Sequence, residues 1–166
     1  MSTIETSTGA PIQPPDAGTV EFRLEVLVLP VSDVDRAKRF YASLGWREDA
    51  DFPIRDDFRV VQMTPPGSPT AVIFGTGVSD AEPGSAGPLV LAVYDVEAAH
   101  ADLVARGAEA SEVFHGRSGF DLHGTAPRES GPDPDRASYK SLVSFSDPDG
   151  NRWLLQEITE RLPGRV

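Results

Sequence analysis

The chain has 166 residues, enough for one domain or two half-domains sharing a core, and its 39% hydrophobic and 25% charged residues are those of a globular protein. A formal net charge of −11 repels a phosphate backbone, which excludes nucleic acid as an expected partner. The lack of cysteine excludes disulfides, thiolate metal sites and thiol nucleophiles, and no apolar run reaches the ~18 residues of a membrane helix.

The N-terminus shows no basic region followed by an apolar run, so a cytoplasmic protein without membrane contact is expected. Residues 1–20 are rich in Thr, Ser, Pro and Gly and read as a disordered arm. Residues 22–31 (FRLEVLVLPV) predict a strand. Ser32 or Asp33 then caps a helix whose apolar positions Val34, Ala37, Phe40, Tyr41 and Leu44 follow helical spacing, and Gly45 stops it. Short strands follow at 46–51, 58–64 and 70–74, with Pro65-Pro66-Gly67 as the turn between the last two. Residues 76–87 read as a Gly-, Ser- and Pro-rich linker.

The pattern then begins again. From Leu27/Leu89 to Gly45/Gly107 an offset of 62 holds without a gap, and eight of the nineteen pairs are identical. Asp33 and Asp95 share the helix start, and Gly45 and Gly107 the helix stop. That is an internal repeat. Thr64-Pro65-Pro66-Gly67 matches Asp147-Pro148-Asp149-Gly150 at an offset of 83, so the second copy carries 21 extra residues, placed within a polar insert at about 112–140. The expected fold class is α+β, with two βαβββ modules whose curved mixed sheets surround a shared cleft. Residues 21–159 form the single domain: module one is 22–75, module two 88–158, and 160–166 a C-terminal tail. Neither half is large enough to bury a sound core alone.

Two βαβββ modules, FYxxLGW (Phe40, Tyr41, Leu44, Gly45, Trp46) and DPDGN (147–151) before the last strand resemble the vicinal oxygen chelate superfamily, the group of glyoxalase I, extradiol dioxygenases and bleomycin resistance proteins. The resemblance covers about residues 24–159 and implies a homodimer. It also implies, for the metal-dependent members, a divalent ion (Fe, Mn, Ni or Zn) held by His, Glu and Gln from the first and last strands of each module. Matched on the motifs, those positions fall at Val26, Ala71, Pro88 and Leu154, none of which coordinates a metal. A slip of one or two positions brings in Glu25, Ile73 or Gln156. No cofactor is therefore expected, with the divalent metal as the alternative, and a second metal idea uses His115, Asp121 and His123 of the insert.

The expected partner is a hydrophobic or aromatic small molecule in the cleft. The candidate contacts are Leu154, Gln156, Gln62, Arg59 and Phe74 on the strands, and Arg117, Phe120 and Tyr139 in the insert. No nucleophile elbow, P-loop or Rossmann glycine pattern is present. If chemistry occurs without metal, His115 and His123 are the candidate general acid or base. Three functions stay open on sequence: a metal-free binding protein, a metal-dependent lyase, isomerase or dioxygenase, and a metal-free biosynthetic enzyme.

Overall fold

The two helices begin alike because their capping residues are alike. Asp33 accepts the backbone N–H of Arg36 at 2.9 Å and opens α1 (Val34–Ser43). Asp95 accepts those of Glu97 and Ala98 at 3.0 Å and opens α2 (Val96–Ala105). Each carboxylate satisfies donors that the first helical turn leaves orphaned. Beyond each helix a glycine takes the left-handed conformation, Gly45 at φ 82° and Gly107 at φ 84°, which ends the helix without a Cβ clash.

The computed structural model describes residues 11–116, 122 and 126–164. Around α1 lie β1 (Val26–Val28), β2 (Arg47–Arg55), β3 (Phe58–Thr64) and β4 (Ala71–Thr76), in the sheet order β1-β4-β3-β2. Around α2 lie β5 (Leu89–Val93), β6 (Phe114–Gly116), β7 (Arg128–Ser130), β8 (Ser141–Ser146) and β9 (Arg152–Glu157), in the order β5-β9-β8-β6-β7. In both sheets the first strand runs parallel to the last, so the two βαβββ modules hold.

Several expectations need correction. The first strand is paired only over Val26–Val28, and residues 11–25 form no helix or strand. The second strand runs to Arg55, carried past 51 by its ladder with β3, with register shifts at Glu48/Ala50 and Pro53/Arg55. The insert contributes β6 and β7 to the second sheet and is not a loop throughout. The repeat register also shifts. Leu27 lies opposite Val72, and Leu89 opposite Trp153. The last strands are therefore offset by 81 residues (Val72 to Trp153), not 83. The repeat counterpart of Leu154 is Ile73, not Ala71, while the first strands keep their offset of 62; Val90 and Val28 lie beside Leu154 and Ile73. The cause is the first hairpin, which takes two more residues than the second to return from its turn glycine to the strand.

One core serves both modules. Leu27, Val72, Phe74, Val61 and Met63 of the first sheet cluster with Ala37 and Tyr41 of α1. Leu89, Leu91, Val143, Phe145, Trp153 and Leu155 of the second sheet join the same cluster with Val96 and Leu103 of α2. Each large apolar side chain buried there contributes roughly 1.5–3 kcal/mol. The seam is aromatic: Trp46 meets Tyr41 at 4.6 Å and Trp153 at 5.2 Å between ring centroids.

The β8–β9 turn clasps that seam. Asp147 Oδ1 accepts the backbone N–H groups of Asp149, Gly150 and Asn151 at 2.9–3.0 Å. Its Oδ2 accepts from the Tyr41 hydroxyl at 2.9 Å and from Asn151 Nδ2 at 2.8 Å. Asn151 Nδ2 also donates to the Pro30 carbonyl at 2.9 Å, and its Oδ1 accepts the Ala86 N–H at 3.0 Å. Asp149 accepts from Ser32 N at 3.1 Å and from the Arg36 guanidinium at 3.0 Å. Gly84 sits so close to this turn that a Cβ there would lie 1.9 Å from the Asp149 carbonyl oxygen. Burial, then the Asp147 charge, push the Tyr41 hydroxyl far above its ordinary pKa, so it stays a neutral donor.

Candidate functional site

Strand alternation gives each sheet a second face, turned away from the shared core. On the second sheet that face carries Val90, Ser144, Leu142, Leu154 and Gln156. Phe114, Leu142 and Leu154 form a separate apolar cluster there, with Leu122 packed against it. On the first sheet it carries Val28, Ile73, Gln62, Val60 and Phe52, with Gln62 directly opposite Ile73.

The insert covers only the second sheet. Its descending limb is pinned by polar contacts. The Asp133 N–H donates to Ser141 Oγ at 2.9 Å, and its carboxylate accepts the Ala137 N–H at 3.0 Å. Arg136, at φ 50°, donates to Glu157 at 2.6 and 3.0 Å and to Glu97 at 2.7 Å. Glu157 is buried and also accepts the Val96 N–H at 3.0 Å. Tyr139, at φ 74°, donates its N–H to the Glu157 carbonyl at 2.8 Å. Beside Leu154, at the end of the sheet where the β8–β9 turn lies, is a cavity of about 440 Å³. Leu154, Leu122 and Pro88 give it apolar walls; Arg128, Arg152 and Glu109 give it charged groups. The Arg128 guanidinium lies 4.2 Å above the centre of the Phe114 ring.

The predicted contacts divide on this geometry. Leu154 lines the cavity. Gln156 shares its face but is buried, donating to the Tyr139 carbonyl at 2.8 Å, so it helps seat the limb. Tyr139 accepts the Leu162 N–H on its hydroxyl at 3.0 Å and ties down the C-terminal segment. Gln62 lies on the open face of the first sheet. Arg59 does not: it shares the helix side with Val61 and donates to Asp51 at 2.8 and 2.9 Å and to Asp35 at 2.9 Å. Those Arg59 bonds, with Lys38, hold the Asp51 carboxyl well below the usual carboxylate range. Phe74 is fully buried against Tyr41 in the core and has no access to a ligand.

His115 is displaced by register. Its neighbour Phe114 points to the Leu154 cluster, so the imidazole points to the opposite side of the sheet. There Nδ1 donates to the Gly131 carbonyl at 2.8 Å, and Nε2 lies 3.4 Å from Glu129. Arg117, Phe120, Asp121 and His123 lie outside the described residues. Sequence reasoning missed Arg152 and Glu109. Arg152 was recoverable by alternation, two residues before Leu154.

The residues present do not fit the divalent ion of the metal-dependent relatives. The strand positions matched on the motifs, Val26, Ala71, Pro88 and Leu154, carry no donor side chain, and neither do Val28, Ile73 and Val90, which the strand pairing sets beside Leu154 and its repeat counterpart. The one amide two residues away, Gln156, is committed to Tyr139. Among the described residues no three His, Asp or Glu side chains gather closely enough to hold a metal. No described helix is long and apolar enough to cross a membrane.

The model of the Glyoxalase/Bleomycin resistance protein/Dioxygenase superfamily matches residues 23–155. Among solved structures the chain is similar to TnmS3, described as an antibiotic binding protein, from Streptomyces sp. CB03234. The identity is 27%, with 85% of this chain and 99% of that one covered and a TM-score of 0.62. A glyoxalase/bleomycin resistance protein from the same Streptomyces is 29% identical, covering 81% of this chain and 99% of that one, with a TM-score of 0.58. A superfamily member from Sphaerobacter thermophilus DSM 20745 is 27% identical, covering 82% and 97%, with a TM-score of 0.58. No curated protein matches the chain.

Proposed function

Because the chain belongs to the glyoxalase/bleomycin resistance protein/dioxygenase superfamily, we propose that it keeps the superfamily's cleft and uses it, without the metal, to bind a hydrophobic or aromatic small molecule. The observation that carries this reading is the hydrocarbon character of Val28, Ile73, Val90 and Leu154. Where a metalloenzyme needs carboxylate and imidazole donors, these side chains offer only dispersion contacts and desolvation, which favour an apolar ligand face. The cavity beside Leu154, at about 440 Å³, has the volume of a small-molecule site. The likeness to an antibiotic binding protein fits sequestration.

The active assembly in this reading is a homodimer. Phe22 and Phe52 are 95% and 55% exposed, and Val28 lies bare on the first sheet's outer face. A second copy covering that face removes this apolar surface from water. A light-scattering mass near 17.8 kDa, the single chain, contradicts the dimer.

Binding is tested by a thermal-shift screen of flat aromatic compounds with and without chelator. A native-state ligand raises Tm by mass action, several degrees at saturating concentration. Stabilisation that chelator leaves intact supports the reading; stabilisation that requires added metal overturns it. Product analysis on each hit separates binding from turnover.

A further inference from the structure

Resting on that binding reading, we infer that the cavity selects ligands with an anionic group on an aromatic body, and that Arg128 and Arg152 read the anion. The protein carries 26 acidic against 15 basic side chains, and its arginines are mostly consumed by that excess. Arg36, Arg47, Arg55, Arg59, Arg106 and Arg136 each have a carboxylate within 4.0 Å. Arg128 and Arg152 are different. Among the described residues neither has a carboxylate within that distance, and, unlike Arg39, which also has none, both line a cavity that Leu154 lines too.

Their other contacts leave capacity in hand. The Arg128 guanidinium carbon sits 4.2 Å over the centre of the Phe114 ring, a contact that uses its charge and leaves N–H groups for a ligand. Arg152 donates one N–H to the Gly87 carbonyl at 3.1 Å, out of the five that a guanidinium has. Two carboxylates also border the cavity. Asp147 is spent, with both oxygens filled by the turn and by Tyr41. Glu109 is exposed and opposes an incoming anion from the rim. A flat ring against Leu154 and Leu122, with its carboxylate or phenolate toward the two guanidiniums, satisfies both halves of the site. Charge-assisted bonds of this kind are about twice as strong as neutral ones.

The test compares 2-naphthoate with its neutral amide, 2-naphthamide, by calorimetric titration of the full chain at pH 7. The expected result is that 2-naphthoate binds at least about tenfold more tightly. Arg128→Gln with Arg152→Gln brings the ratio of the two dissociation constants below about threefold, Arg128→Lys keeps most of it, and Glu109→Gln raises it. Melting curves of each variant show that it remains folded. Equal affinities in the wild type, or a preference that survives the double substitution, overturn the anion assignment while leaving the binding reading intact. Binding of both compounds that persists in Leu154→Trp overturns the site itself, and binding of neither overturns both.

Discussion

The loops between the last two strands of each module occupy the same place in the repeat and differ in what they hold. The β8–β9 loop reaches across the module boundary through Asp147, Asp149 and Asn151 to Tyr41, Pro30, Ser32 and Arg36. The β3–β4 loop bonds to itself, Ser68 N–H to the Pro65 carbonyl at 3.1 Å and Ser68 Oγ to the Thr70 carbonyl at 2.8 Å, and within its own module, where the Thr70 hydroxyl donates to the Leu24 carbonyl at 2.8 Å. A repeat therefore does not divide work equally: one loop clasps the other module through side-chain hydrogen bonds, while the side-chain bonds of its twin stay within its own module. The open faces show the same asymmetry. The second sheet is roofed by the insert and carries the cavity, while the first leaves Val28 and Phe52 bare.

Five substitutions sharpen or break that contrast. The largest effect belongs to Asp147→Ala, which strands the Tyr41 hydroxyl, the Asn151 amide and three backbone donors in a buried site. It is expected to cost about 3–4 kcal/mol in urea unfolding, while Ser68→Ala in the twin loop costs under about 1 kcal/mol. Equal losses break the comparison. Tyr41→Phe removes the hydroxyl that donates to Asp147 and accepts from Trp153 Nε1 at 3.0 Å, and is expected to cost about 2 kcal/mol by the same measurement. The caps come next: Asp33→Ala and Asp95→Ala should each cost about 1 kcal/mol, since here the two modules are alike.

The smallest effect is pH-dependent. Asp51 has a folded pKa lowered first by the Arg59 hydrogen bonds, so its stabilisation is full above the unfolded value near ~4 and fades as pH falls through the lower folded value. Asp51→Asn should cost about 1 kcal/mol at pH 7, and its difference from the wild type should shrink below about pH 4. A difference independent of pH shows that the loss is one of packing.

Much of the fold was legible because its signals are local. Asp33 and Asp95, Gly45 and Gly107, and the DPDGN turn act within a few residues, and they located the modules. The two-residue slip at Ala71 was hidden because a turn glycine fixes the bend and not the length of the return. Strand alternation already placed Arg59 with Val61 and Phe74 with Val72, on the core side. His115 was unreadable, since its direction depends on β6 pairing with β8, a partnership 26–28 residues away within a segment without strand periodicity. The clasp was also out of reach: Asp147 meets Tyr41 across 106 positions, and nothing local marks that contact. DPDGN, which suggests a metal-bearing strand, is a module clasp followed by Leu154.

Binding without metal requires that the hydrocarbon at Leu154 and its neighbours serve an organic ligand. Elemental analysis of protein purified without chelator, combined with thermal melting in Fe, Mn, Ni and Zn, tests it most directly. Metal far below one equivalent and an unchanged Tm in every metal are expected. One equivalent of bound metal, with Tm raised by several degrees when that metal is restored after chelation, contradicts it.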